Sequence, residues 1–456
     1  MGADMEWPVC LDEYQKLVNR MNTPRVVLDN NVCDTATLIK VDSAWKDGVL
    51  LEAVQVLADL NLSVKKAYFS SDGSWFMDVF HVTDEQGRKL TDESIRSYIE
   101  QTLVAGTHAK ADCCNGVVVL ELAGDDRPGL LSEVLAVLED QKCDVVEANM
   151  WTHNGRVASL IHVKDEGLPT SPMEDPWKLQ SIEGRLRNVL AVDGTRVRCA
   201  ARLAAGAASM AATHADRRLH QMFLADSDCE RALSADIESP PPSVSVQRWV
   251  DRGYSAVSVQ CRDRPKLLFD VVCTLTDMDY VVFHGTIDTD GDRAHQEFYI
   301  RHVDGSPIRS EAERQRVIRC LQAAVQRRTS EGVRLELSAA DERGLLTGLT
   351  RSLRENGLSV ARAKVSAKGG ATHGVFYVTD ASGHPADAGA VEAARQRVGP
   401  GSLSLAEPRR ASAPAPRKAT NWSGPWEDGG GVAGLSYLGS LVRRNLYNLG
   451  LIKSCS

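Results

Sequence analysis

The chain has 456 residues, of which 43% are apolar and 25% charged, with a formal charge of -8 and a pI near 5.8. Such a composition is that of ordinary soluble globular protein with enough apolar material for real cores, and the length allows two to four domains. The acidic balance disfavours long-range attraction to nucleic acid or to an anionic membrane surface. Eleven cysteines are present, none in a Cys-x-x-Cys pair or with a His at zinc-finger spacing, so they read as thiols in a reducing compartment. The first residues are acidic and lack the apolar core of a signal peptide, and no run reaches the ~18 apolar residues a membrane span needs. The expected compartment is the cytoplasm, with the nucleus as the alternative.

Taken in chain order, residues 1–36 read as an N-terminal segment, and four similar segments come after it. The first runs from Thr37 to Val41 and continues into Trp45-Lys46-Asp47-Gly48. The second runs from Val117 to Leu122 and into Asp126-Arg127-Pro128-Gly129. The third runs from Ala256 to Cys261 and into Asp263-Arg264-Pro265-Lys266, and the fourth from Val333 to Leu337 and into Asp341-Glu342-Arg343-Gly344. Gly48, Gly129, Lys266 and Gly344 are therefore equivalent, and their spacing sets the repeats in two groups with an insertion between them.

Each first segment has the alternation of a half-buried strand, as in Val333, Leu335 and Leu337. A helix comes next in each. Residues two, five, six and nine beyond the equivalent position form an apolar stripe: Leu131, Val134, Leu135 and Leu138 in the second repeat, Leu268, Val271, Val272 and Leu275 in the third. Thr350 is the one polar exception to this stripe. A second strand is predicted at 62–70, 145–152, 281–289 and 358–367, and a third at 75–82, 157–163, 297–303 and 374–379. The turns between them carry Asp72-Gly73, Asn154-Gly155, Asp290-Gly291 and Gly369-Gly370. A second helix is expected near 92–103, 176–190, 310–326 and 388–398. Arg196–Leu203 and Ser402–Ala406 supply closing strands for the second and fourth repeats, leaving one short, missing or shared in the other two.

The implied architecture is α+β: four ferredoxin-like βαββαβ modules arranged as two pairs. Modules are placed at 37–112, 113–208, 253–332 and 333–406. Residues 209–252 read as a linker and 407–456 as a flexible tail with a short C-terminal helix.

The Asp-Arg-Pro-Gly loop lies where a strand meets a helix start, whose first N–H groups lack intrahelical partners and carry a partial positive charge. Such a place holds a carboxylate, while Asp126 or Asp263 suits an α-ammonium group; an α-amino acid offers both. Capping of the helix by Asp126 is the plainer account of one such loop. Its recurrence at one structural position favours the ligand.

Asp126-Arg127-Pro128-Gly129-Leu130-Leu131 with its flanking strand and helix resembles an ACT domain. Four such segments, together with His220-Gln221-Met222-Phe223-Leu224-Ala225-Asp226 and the ending Leu449-Gly450-Leu451-Ile452-Lys453-Ser454, resemble the plant ACT-domain-repeat protein family. That family is similar to the C-terminal ACT region of bacterial uridylyltransferase nitrogen sensors. The resemblance implies a non-catalytic, amino-acid-binding regulatory sensor of nitrogen metabolism that signals to a metabolic or signalling protein. It marks Asp126, Arg127, Gly129, Leu130 and Asn149 in the second repeat, and Asp263, Arg264, Lys266, Leu267, His284 and Gly285 in the third. The expected ligand is a free amino acid, with glutamine as one candidate. No cofactor, metal, catalytic residue, nucleic acid or membrane span is expected, and ACT pairing leaves room for a homo-oligomer. A protein-interaction scaffold with degenerate ligand sites is the alternative, favoured for some modules by the degenerate loops at Trp45–Gly48 and Arg343.

Overall fold

In a computed structural model the described residues are 24–44, 48–71, 75–105, 117–165, 175–191, 197–203, 214–230, 242–329, 332–399 and 401–405. The Trp45-Lys46-Asp47 loop, the Asp72-Gly73 turn, residues 209–213 and 231–241 of the linker, and the tail with its expected helix lie outside them. Four repeats are present. The first contains β1 (Arg25–Asp29), β2 (Thr37–Ala44), α1 (Val49–Asp59), β3 (Ser63–Ser71), β4 (Trp75–Thr83) and α2 (Glu93–Ala105). The second contains β5 (Val118–Asp125), α3 (Leu130–Asp140), β6 (Cys143–His153), β7 (Arg156–Asp165), α4 (Pro176–Leu190) and β8 (Arg198–Leu203). After α5 (Ala215–Ala225) comes the third: β9 (Ser243–Trp249), β10 (Tyr254–Arg262), α6 (Leu267–Asp277), β11 (Tyr280–Asp290), β12 (Arg293–His302) and α7 (Glu311–Gln326). The fourth is β13 (Val333–Ala340), α8 (Leu345–Glu355), β14 (Leu358–Lys368), β15 (Ala371–Asp380), α9 (Ala388–Val398) and β16 (Leu403–Leu405).

Two compact units result, and each takes alternate repeats. Met1–Lys110 joins Ser239–Val325, and Ala111–Glu238 joins Gln326–Ser456. The spacing groups neighbours in sequence, but the sheets join the first repeat to the third and the second to the fourth. In the first unit the strand order is β1-β2-β4-β3-β11-β12-β10-β9, with β3 and β11 antiparallel at the join. In the second it is β16-β13-β15-β14-β6-β7-β5-β8, joined through β14 and β6. In each unit two four-stranded sheets lose one open edge, so the N–H and C=O groups left unpaired on those strands find partners.

The strand owed to the first and third repeats comes from the chain before them. β1 lies antiparallel along β2, and β9 along β10, where β8 and β16 lie along β5 and β13. Repeats closed by a preceding strand therefore pair with each other, as do those closed by a later one.

The helical stripe is buried as its spacing predicts. Ala53, Val54 and Leu57 pack with Val271, Val272 and Leu275 in one core, and Val134, Leu135 and Leu138 with Leu349 and Leu353 in the other. Thr350 is tolerated because its hydroxyl donates to the Leu346 carbonyl at 2.8 Å. Burial of each such leucine stabilises by about 1.5–3 kcal/mol.

In the second unit the other sheet face carries a layer of its own. Leu219, Met222 and Phe223 of α5 pack on Trp151, Ala158 and Leu160. The segment then ends at Asp228, whose carboxylate accepts from Arg327 Nε at 2.9 Å and Nη2 at 2.6 Å, and meets His153 Nδ1 at 2.8 Å. Burial alone pushes this carboxyl up; the Arg327 charge and the hydrogen bonds outweigh it and bring it to about 2. Arg328 pairs with Asp216 at 3.0 Å and stacks over Trp151, so both ends of the segment are clamped.

These contacts lead to two expected outcomes. Lys266 holds the left-handed conformation (φ 64°) that Gly48, Gly129 and Gly344 hold in the other repeats. Lys266→Gly relieves its Cβ crowding and raises the thermal midpoint, with a gain of up to about 1 kcal/mol. Arg327→Ala leaves Asp228 buried without its main partner and costs about 3–5 kcal/mol in denaturant unfolding. Because the folded-state carboxyl lies below its usual 3.8, the Asp228 contribution is present above pH 4 and is lost as pH falls from 4 towards 2.

Candidate functional site

Each described strand-to-helix loop has the same frame. The Asp126 N–H donates to the Gly155 carbonyl at 2.9 Å, Asp263 to Asp292 at 2.7 Å, and Asp341 to Gly370 at 2.9 Å. The left-handed residue then turns the chain into the helix. None of the N-cap residues Gly48, Gly129, Lys266 and Gly344 gives its helix a side-chain cap. Gly129 and not Asp126 holds the N-cap position, and the Asp126 carboxylate is met by the Arg127 backbone N–H. The Leu130 N–H donates to the Arg127 carbonyl at 3.1 Å, so it is the N–H groups after Leu130 that lack an intrahelical partner in the first turn.

The loop arginines have a shared structural task. Arg127 donates to both Glu133 oxygens (Oε1 at 3.0 Å) and to the Val189 carbonyl at 3.1 Å. Arg264 pairs with Asp270 at 2.7 Å and donates to the Val325 carbonyl at 2.7 Å. Each guanidinium thus ties the first helix of its repeat to the last turn of the second, which also places a cation at that negative helix end.

In each unit one loop opens onto a narrow cleft formed with the paired repeat. In the second unit Asp126, Arg127, Gly129 and Leu130 face Thr350 and Arg354 of α8 and Leu358–Val360 at the start of β14, around about 320 Å³ that includes space open to solvent. In the first unit Asp263, Arg264, Lys266 and Leu267 face Val54, Leu57 and Ala58 of α1 and Leu62–Val64, around about 410 Å³ measured in the same way.

Eight of the eleven residues expected from the sequence thus meet at two clefts. Asn149, His284 and Gly285 do not line them. The Asn149 amide donates to Glu147 at 3.0 Å. His284 Nδ1 meets the Phe69 carbonyl at 2.7 Å. A methyl group on Gly285 would lie 2.8 Å from the Phe69 ring, so the glycine there makes room for the paired repeat. A β-bulge at Val145/Glu147 and another at Val282/His284 shift the alternation by one residue, which turns Met150 and Ile287 to the cleft side. The contributions of α8, β14, α1 and β3 were invisible in the sequence because they come from the paired repeat.

The electrostatics of the clefts differ. Burial raises the Asp126 carboxyl to about 6, and the Arg127 backbone N–H and charge offset only part of this. Burial also raises Asp263, but Lys65 Nζ lies 3.8 Å away. Ten residues past the left-handed position stand Ala58, Glu139, Thr276 and Arg354. A methyl group on Gly129 would collide with the Arg354 side chain, whereas one on Gly344 would lie 3.1 Å from the Glu139 carboxylate. The loop of the second repeat is thus faced by a cation and that of the fourth by an anion. Among the described residues no group of three His, Cys, Asp or Glu is placed to hold a metal ion, and no helix is long and apolar enough to cross a membrane.

This geometry can be set beside known proteins. Residues 32–110 match the profile of the ACR family N-terminal ACT domain, and 117–166 and 255–320 match ACT domains. The ACT domain-containing protein ACR8 of Arabidopsis thaliana is 55% identical over 98% of this chain and 99% of its own length. The chain belongs to the plant ACT-domain-repeat (ACR) family. ACR4 of the same plant is 52% identical over 85% of this ACR chain and 87% of its own. A bifunctional uridylyltransferase/uridylyl-removing enzyme of Phenylobacterium zucineum is 34% identical over 20% of the chain and 10% of its own length. The resemblance read from the Asp-Arg-Pro-Gly loop and the four-fold repeat is therefore correct at the level of family and fold.

Proposed function

We propose that this ACR protein is a non-catalytic amino-acid sensor that takes one ligand in each of the two clefts and signals occupancy to a protein partner. The observation that carries this reading is the Asp126 carboxylate, held beside an uncapped helix start in an inter-repeat cleft and raised to about 6. A buried carboxylate without a salt bridge favours a cationic ligand group, and a helix start favours an anionic one. Free α-amino acids carry both on one carbon. The α-ammonium group bonds Asp126, the α-carboxylate takes the helix N–H groups and Arg354, and the side chain enters between the paired repeats.

At Asp263 the same arrangement competes with Lys65, so the first cleft binds more weakly through that group. The fourth-repeat loop is different. Glu139 faces it with a carboxylate, which repels the ligand carboxylate, and that loop acts through protein contacts alone, as the scaffold alternative holds. Ligand in a cleft touches the loop of one repeat and the helix and strand of the other. It therefore favours whichever packing of the pair brings these together, and a partner that distinguishes the two packings reads the ligand.

Isothermal titration of the full chain with the twenty amino acids tests this. The expected result is two sites per chain for at least one amino acid, with dissociation constants of about 10 μM to 1 mM, since few charge-assisted bonds must offset the ordering cost. Arg354→Glu leaves one site. Affinity for the Arg354-dependent site falls as pH is lowered through 6, because protonated Asp126 no longer attracts the ammonium group, and Asp126→Asn removes that pH dependence. A chain that shows no binding heat and no shift of its thermal midpoint with any amino acid has only the scaffold role.

A further inference from the structure

The third strand of every repeat has one position on the helix side of the sheet that differs in chemistry. It lies two residues before the core residue Phe80, Ile161, Phe298 or Phe376, and it is occupied by Asp78, Ser159, Gln296 and Gly374. The register establishes the equivalence: these four oppose Val41, Leu122, Val259 and Leu337 on one side, and Phe69, Met150, Ile287 and Val365 on the other. Every one of those neighbours belongs to the two main cores.

A position that only supports folding would be apolar here. Instead Asp78 Oδ2, Ser159 Oγ and Gln296 Oε1 are all buried without a hydrogen-bond partner. Leaving such atoms unpaired is costly, and its recurrence at one position in three repeats marks a functional constraint. Gln296 is the one of the three that lines a cleft. It is 2% exposed and sits beside Ile287 and Thr289, across from the Asp263–Leu267 loop. In the second unit Ser159, the counterpart of Gln296, is not among the residues lining the cleft; Met150, the counterpart of Ile287, lines it with Leu130, Leu131 and Val360.

We propose that Gln296 determines the specificity of the first unit's cleft, accepting a hydrogen bond from the side chain of an amino acid that carries an uncharged donor, a carboxamide or a hydroxyl. This rests on the amino-acid reading above. A ligand donor satisfies Gln296 Oε1, whereas an apolar side chain of the same size leaves it unpaired. Charged side chains are disfavoured because Gln296 brings no counter-charge into the core. The cleft of the second unit, walled by Met150, takes apolar side chains instead.

The experiment is calorimetric titration of the full chain carrying Arg354→Glu, so that the first cleft reports alone, using size-matched probes: L-asparagine against L-leucine, and L-threonine against L-valine. The polar member of at least one pair is expected to bind tenfold or more tightly, and Gln296→Leu to erase that preference by weakening the polar ligand. Gln296→Met serves as the second variant where Gln296→Leu perturbs folding. Removal of an unpaired buried amide also raises the thermal midpoint in either variant, so the ligand ranking decides. If the chain binds amino acids but both variants keep the original ranking, Gln296 is only a packing residue and its specificity role is overturned while the sensor reading stands. If no amino acid binds the unsubstituted chain, the sensor reading falls and the role of Gln296 falls with it.

Discussion

The antiparallel pairing of second strands is the constraint on which both units depend. β3 and β11, and likewise β14 and β6, carry open edges in their own repeats, and their backbone groups are satisfied only by another repeat. Once that ladder forms, the first helices of the two repeats must lie side by side over the joined sheet, since their apolar stripes have nowhere else to go. The cleft is the space left between a loop of one repeat and the helix and strand of the other. Burial of Asp126, closeness of Arg354 to Gly129 and the position of Lys65 near Asp263 all descend from that join.

The loop itself is a compromise between rigidity and exposure. Arg127 and Arg264 direct their charge inside their own repeats, onto an acid of the first helix and a carbonyl of the second. That tie holds the helix start still without covering it. The N-cap residues Gly129 and Lys266 add no side-chain cap, and with the Leu130 and Leu267 N–H groups bonded to the Arg127 and Arg264 carbonyls, it is the next N–H groups of the first turn that face the loop. Lys266 bears a conformational penalty to keep the same geometry in the third repeat, where glycine serves elsewhere.

The four repeats have the same frame and different contents. At the position ten residues past the left-handed turn stand alanine, glutamate, threonine and arginine; on the third strand, at one register, stand aspartate, serine, glutamine and glycine. Framework positions such as Ala53, Val134, Val271 and Leu349, five residues past that turn, stay apolar throughout. Such variation over a constant frame separates ligand chemistry from folding chemistry. The buried clamp of Arg327 on Asp228 adds a second kind of difference, since it secures α5 on the free sheet face of the second unit.

Much of this was legible in the sequence. The i, i+3, i+4, i+7 stripe and the alternation of the strands located the helices and the three central strands of each repeat, though not β1 and β9, because a residue's local period depends only on its own backbone geometry. The Asp-Arg-Pro-Gly motif located the loops, since a left-handed residue before a helix needs glycine or a strained substitute. Tertiary structure decided the rest. Which repeats pair depends on edges that many partners could satisfy, and the sequence spacing pointed to neighbours. The bulges before Glu147 and His284 reversed the facing of Asn149 and His284, and a single extra residue in a strand leaves no signature in a period of two. The edge strands β1 and β9 preceded their repeats, because a sheet edge accepts an antiparallel strand from either end of the chain.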